Sequence, residues 1–436
     1  MELAKAIGLY TLLLVMIGSE AAAGVSPQSV RTEIISVAKA IESLDKEVRS
    51  IQIETRVTDG EERLARAKVS FDLGHWGEAA LYLYGYVDSR SGNAAKDSVY
   101  YDAIRMLGIC LIHEENLEGA RVYFEELVRG RAHEGESLLN LVDIASRLSR
   151  TSDLRRYAEI AAKLSSFKAD YQVFYAEGKA RYHTGEYQTA QVVMQRVSSI
   201  STLYAKAQYI CGVSLVAQKK LEEASRVFLR ILQLKGKQKD KLTNEWATMS
   251  LARIFYEKGM LSSAADYYQR IDYKSKLFHR ALYEMTHVHI KLAQEREDPS
   301  AKAESYRKAM ETLEIMSGIQ GLGVSLKVEA SILRGRINIF LGMLDYAAKA
   351  YREVVGRYAP ISAELWDFVQ DESRIEGWFE SLLLSGVAPI KGAVVLSADA
   401  SSWVQAEPAL GVVVESLDEL GQQKKDIEDS RDIVIK

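Results

Sequence analysis

A small residue, a turn seven positions on and a second small residue twelve positions on recur along this chain, and no other feature restricts its fold so strongly. The clearest copy is Tyr175 to Val197, YAEGKARYHTGEYQTAQVVMQRV, with Gly178, Gly185 and Ala190 at those offsets. Gly178 and Ala190 mark places where two helices approach so closely that a larger side chain would clash, and Gly185 breaks the helix between them. Tyr175 and Tyr182 stand seven apart on the first helix, while Ala190, Met194 and Val197 follow a four-then-three step on the second. Each helix thus carries one apolar stripe, and the stretch is predicted to be a helical hairpin.

Other copies follow the same template: Ala67, Gly74, Trp76 and Ala79; Gly108, Leu117, Ala120 and Phe124; Gly212, Leu221, Ala224 and Phe228. Two more are Ala252, Gly259, Leu261, Ala264 and Tyr268, and Gly335, Gly342, Leu344, Ala347 and Tyr351. Degraded copies lie around Ala145, Leu154 and Leu164, and from Tyr283, resuming at Tyr306 to Met316. The second is interrupted by LAQEREDPSAKAE, whose charge and Pro299 predict an exposed loop. Anchors separate by 41, 37, 33, 34, 40, 34 and 49 residues from Ala67 through Gly108, Ala145, Gly178, Gly212, Ala252 and Thr286 to Gly335. The span from Gln28 to Asp298 holds no proline, which suits an all-helical body.

On these residues the chain resembles the tetratricopeptide-repeat (TPR) proteins over 61–360, whose unit is a helical hairpin of about 34 residues. The family's usual proline at the end of each unit survives only at Pro360. The resemblance implies an all-α fold. About eight hairpins, each with an apolar face that only stacking buries, would build a right-handed superhelical solenoid with a concave groove.

The flanking segments read differently. Residues 1–23 have the make-up of a signal peptide: Lys5, an apolar core from Ile7 to Ile17, and Ala21-Ala22-Ala23 before Gly24, with no cysteine there for lipid attachment. The apolar run is too short to span a bilayer comfortably, so no transmembrane span is expected in the mature chain and the periplasm is the expected location. Val30, Ile34, Val37, Ile41, Leu44, Val48 and Ile51 form a heptad seam within 28–57, which suits either self-association or folding back on the array. After Pro360 the repeat stops; 361–410 is expected to form a helical cap, with Ile375 to Leu384 as one helix, and 411–436 a heptad-like helix weakened by Lys424 and Arg431. Cys110 and Cys211 each lie on an apolar helix face and are expected to be buried free thiols.

A formal charge of −4 leaves no electrostatic footprint for nucleic acid. No phosphate-binding glycine loop and no nucleophile-base set is present, so neither enzyme activity nor a cofactor is expected. His287 and His289 sit two apart, on divergent faces of a helix, and no ligand set completes them, so no metal is expected. His113 ends a first helix, where the dipole favours it; Glu125-Glu126 and Glu222-Glu223 are expected to be solvated.

The resemblance places first-helix residues that flank the anchor on the concave surface. These are Tyr175, Lys179, Tyr182, Tyr209, Trp246, Arg253, Tyr256, Arg336 and Phe340, and aromatics interspersed with cations suit a peptide-binding face. Tyrosines at these offsets also suit packing between successive first helices. The layout is similar to Tol-Pal-associated envelope proteins and to periplasmic repeat proteins of gliding-motility complexes, which implies a scaffold for other envelope proteins. The alternative is a cell-wall accessory that stacks glycan on Trp246, Trp366, Trp378 and Trp403.

Overall fold

The computed structural model describes residues 60–90, 96–167, 169–319, 322, 324–370, 378 and 396–406. The leader at 1–23, the heptad helix at 28–57, the C-terminal helix at 411–436 and all of Ile375 to Leu384 but Trp378 lie outside them. The described residues form α-helices and one short 3-10 turn, with no strand among them.

Helices follow one another in pairs: α1 (Gly60–Asp72) and α2 (Trp76–Ser89), α3 (Ser98–His113) and α4 (Leu117–Arg129), α5 (Glu134–Arg147) and α6 (Thr151–Ser165). Then come α7 (Tyr171–His183) and α8 (Tyr187–Met194), α9 (Tyr204–Ala217) and α10 (Leu221–Leu232), α11 (Lys241–Glu257) and α12 (Leu261–Gln269). The series ends with α13 (Phe278–Glu295) and α14 (Pro299–Ser317), α15 (Val324–Phe340) and α16 (Leu344–Gln370), and the separate α17 (Ala398–Ala406).

Two compact units result, one of Phe124–Gly356 and one of Met1–Tyr123 with Arg357–Lys436. In the first, every helix from α5 to α14 packs on the next, and α5, α7, α9 and α11 also pack on one another in series. That pattern, first helix on first helix with each second helix wedged alongside, is the stacking of a solenoid. In the second unit α1 packs on α2 and α3, and the His113 ring that ends α3 lies flat on Trp76, centroids 4.0 Å apart. A separate cluster there joins Ile361, Phe368, Trp378, Leu396 and Ala400.

The rule behind the repeat is a contact between the anchor and the residue sixteen on. A Cβ added to Gly178 would stand 2.8 Å from Met194 Cγ, one on Gly212 2.4 Å from Phe228 Cε1, and one on Gly335 2.7 Å from Tyr351 Cζ. Glycine is required there because a large side chain of the second helix lies across the first helix's backbone. Turns seven past the anchor take a left-handed residue in every well-formed copy: Gly74, Glu115, Gly185, Lys219, Gly259 and Gly342. Four are glycine, which adopts that conformation without a steric penalty.

Three expectations need correction. The weak copy around Ala145 turns at left-handed Ser149, which moves its anchor to Val142. Spacings to Gly108 and Gly178 become 34 and 36, and the residue sixteen on is Ala158, fully buried like Val142. Volume has moved from the second helix to the first, which hides the copy from a search for small anchors.

LAQEREDPSAKAE is mostly helical. Its first residues finish α13, Asp298 caps α14 by accepting from the Ala301 amide at 2.7 Å, and Pro299 takes the first helical position, where its missing N–H is not needed. Finally, α16 passes through Pro360 to Gln370, so the boundary drawn at 360 falls inside a helix. Packing of Ile361 and Phe368 against Trp378 and Leu396 offsets the hydrogen bond that the proline removes.

Cys110 and Cys211 are both buried and free, as expected. Glu125 is less solvated than expected: it pairs with Arg156 and accepts from the Tyr157 hydroxyl at 2.7 Å. Glu222 pairs with Lys258.

Candidate groove along the first helices

Within the unit Phe124–Gly356, helices α7, α9, α11, α13 and α15 carry the predicted groove residues. Tyr175, three before its anchor, is only 8% exposed and belongs to a cluster with Phe174, Met194, Ala207 and Ile210. Burial, and then the Asp143 and Asp240 charges, push its phenol well above the usual tyrosine range. It is a packing residue first. Lys179 pairs with Asp143, tying α7 to α5, and Tyr182 is half-buried with its ring centroid 5.7 Å from that of Tyr187.

The structure brings Tyr209, Trp246, Arg253 and Tyr256 into neighbouring positions on α9 and α11. The Tyr209 ring lies between Phe228 at 5.7 Å and Trp246 at 6.4 Å, with its hydroxyl bonded to Ser250. Trp246 keeps 37% of its surface exposed. Arg253 donates from Nε and Nη2 to the two carboxylate oxygens of Glu284, each at 2.8 Å. Lys291 Nζ lies 4.7 Å from the centroid of the Tyr256 ring, a cation–π distance. Arg336 and Phe340 fall further along, on α15; the guanidinium is 5.7 Å from the Phe340 centroid, and that ring stacks on Tyr306 of α14 at 4.9 Å. Phe340 therefore leans toward a second helix while leaving 41% of its surface open.

Glu284 is the electrostatic centre of the α11–α13 joint. Burial alone would raise its carboxyl, but hydrogen bonds from Arg253 and Arg280, with the Tyr268 hydroxyl at 2.9 Å, outweigh burial and hold it below the usual range. Three residues on along the same helix, burial pushes the His287 imidazole down, against the raising pull of Glu329 and Glu284 and with the lowering push of Arg336. Tyr283 bonds Glu329, and burial leads the causes that push its phenol up to about 12.

Asp143, Glu284, Lys291 and Glu329 were not singled out from the sequence, and Tyr283 and His287 were named there only as the start of a degraded copy and as half of a rejected metal pair. Tyr283 and His287 sit three before and one after Thr286, the offsets of Tyr175 and Lys179, so carrying the rule into that copy finds them. Asp143 stands one past the corrected anchor Val142, as Lys179 does past Gly178. Of the four tryptophans considered for glycan stacking, Trp246 and Trp366 expose 37% and 67% of their surface, whereas Trp378 is buried and Trp403 is half-buried against Tyr358. Trp378 and Trp403 therefore serve the core. Among the described residues no group of three His, Cys, Asp or Glu side chains is placed to hold a metal ion. No described helix is long and apolar enough to cross a membrane.

Successive helical hairpins, left-handed turns at a fixed offset and the anchor contact sixteen residues on define the class: the described residues are built of tetratricopeptide-type helical hairpins. No protein-family model and no curated protein matches the sequence. Among solved structures, the chain is similar to the C-terminal part of a TPR repeat-containing protein from Cytophaga hutchinsonii (12% identity, TM-score 0.43, covering 57% of this chain and 95% of that one). It is also similar to pilF of Pseudomonas aeruginosa (18% identity, TM-score 0.38, 50% and 93% covered) and to apo RapI (13% identity, TM-score 0.44, 84% and 98% covered).

Proposed function

We propose that this chain is a non-enzymatic scaffold that holds protein partners along its first helices, working in a bacterial envelope after export to the periplasm on the leader at 1–23. The observation that carries the proposal is the series of part-exposed aromatic faces set beside fixed charges: Trp246 against Tyr209, Lys291 over Tyr256, and Arg336 over Phe340. Rigid rings supply contact area at low entropic cost, and cations held in place meet carboxylates or main-chain carbonyls without further ordering. Lys179 and Arg253 already have carboxylate partners, so the rings carry most of the affinity and the charges set register.

A photo-crosslinking residue at Trp246 in the native cell tests this. Adducts with envelope proteins that are lost on Tyr256→Ala support the scaffold reading. Adducts with cytoplasmic proteins alone end the envelope part of it, and the absence of any adduct from Trp246, Tyr256 and Phe340 positions ends the groove part.

A further inference from the structure

On the far side of α9 from Tyr209 lies a second site. At about 100° per residue, Tyr204, Gln208, Cys211 and Leu215 share one face of this helix, roughly opposite the face that bears Tyr209 and Val213. Helix α8 stops at Met194 after eight residues, whereas α10 runs for twelve. The shorter helix leaves the floor made by α9 uncovered between α8 and α10, as a cleft of about 440 Å3. That volume falls in the range of small-ligand sites, about 300–1,000 Å3.

The lining has a consistent chemistry. Cys211, Leu215 and Val227 give an apolar floor, and three carboxamides surround it: Gln191 and Gln195 from the α8 side, Gln208 from α9. Arg226 and Arg230 of α10 form the facing wall, with Glu223 at its end. Cys211 cannot supply an anion, because burial pushes its thiol up to about 12, and its Sγ donates to the Gln191 carbonyl at 3.6 Å.

The telling group is Gln208. Its residue is only 7% exposed, it lines the cleft, and its carboxamide makes no hydrogen bond to any described residue. Its polar atoms reach the open cleft, where they are placed to bond what enters. Arg230 likewise has no ion pair among the described residues, and Arg226 donates to the Glu222 carbonyl at 3.5 Å while its charge is felt by the Glu222 carboxylate without closing a salt bridge.

We propose that this cleft binds a short acidic peptide, with Gln191, Gln195 and Gln208 taking its main-chain amides and Arg226 and Arg230 taking a carboxylate. A carboxamide offers a donor and an acceptor side by side, which matches the main-chain amide, and a guanidinium offers a fork that matches a carboxylate. The site is independent of the first-helix groove.

The test uses the full chain and N-acetyl-Glu-Gly-Glu-amide, followed by saturation-transfer NMR and titration. Binding is expected with the wild type, about tenfold weaker for the neutral N-acetyl-Gln-Gly-Gln-amide, and at least tenfold weaker for Arg226→Gln/Arg230→Gln. Gln208→Leu is near in volume and removes the unpartnered carboxamide, so it should fold at least as stably as the wild type yet lose about tenfold in affinity. Unchanged affinity in a folded Gln208→Leu overturns the proposal. So does equal binding of free glutamate, which would make the cleft an anion site, and so does no binding of either peptide at millimolar concentration, which would leave the cleft to water.

Discussion

Gly212→Ala and Gly356→Ala make the same chemical change inside helices and should move stability in opposite directions. Alanine gains about 1 kcal/mol over glycine in a helix interior. At Gly356 nothing lies within 4 Å of the added Cβ, so the full gain should appear. At Gly212 the Cβ would stand 2.4, 2.6 and 3.0 Å from three atoms of the Phe228 ring, and that ring is completely buried. Overpacking a core costs about 1–3 kcal/mol, and with no direction for the ring to move the upper part of that range applies. Net, Gly212→Ala should lose about 1–2 kcal/mol, which places the two variants about 2–3 kcal/mol apart. Urea unfolding followed by circular dichroism at 222 nm reads this as a midpoint lowered in one variant and raised in the other. Phe228→Leu placed on Gly212→Ala should recover part of the loss, because the two sites share one contact. If Gly212→Ala melts at or above the wild type, the anchor contact is not what holds the hairpin closed.

Further outcomes follow from other sites. Lys219 holds the left-handed turn that four other copies give to glycine, so Lys219→Gly should raise the thermal midpoint, a gain of up to about 1 kcal/mol. Glu284 has a depressed folded pKa, so its contribution is present above the unfolded carboxylate value, about 4.3, and is lost as pH falls through the folded value. Glu284→Gln should therefore be less stable than the wild type at pH 7, with the gap closing in acid; a gap that widens in acid refutes the assignment. With its thiol pushed up to about 12, Cys211 should react with a maleimide only after urea unfolds the chain. Light scattering with and without residues 28–57 tests self-association through that segment, and a monomer in both cases removes it.

The anchors were legible in the sequence because a helix crossing demands a residue without bulk, and Gly178, Gly212, Ala252 and Gly335 record that demand directly. Val142 was not legible, since its partner Ala158 had given up the volume and Ser149 took the left-handed turn in place of glycine. Pro299 misled because a proline amid charged residues marks a loop and a helix start alike; only the Asp298 cap distinguishes them. Groove aromatics could be placed by offset, but their charge partners could not. Glu284 meets Arg253 across 31 residues, and Asp143 meets Lys179 across 36. Which carboxylate finds which cation depends on the lateral fit of neighbouring helices, and no short-range pattern encodes it.

Those lateral ties have a mechanical meaning. Lys179–Asp143 and Arg253–Glu284 fasten α5 to α7 and α11 to α13 with part-exposed charges. Between them, at the same offset, α9 presents Val213, and its join to α11 is made by the Tyr209 and Trp246 rings. Salt weakens the first kind of joint, the more exposed Lys179–Asp143 pair most, and leaves the second untouched. Raising ionic strength should therefore loosen this unit on either side of α9 while α9 stays fixed to α11, so that it responds as a stiff centre between two yielding arms.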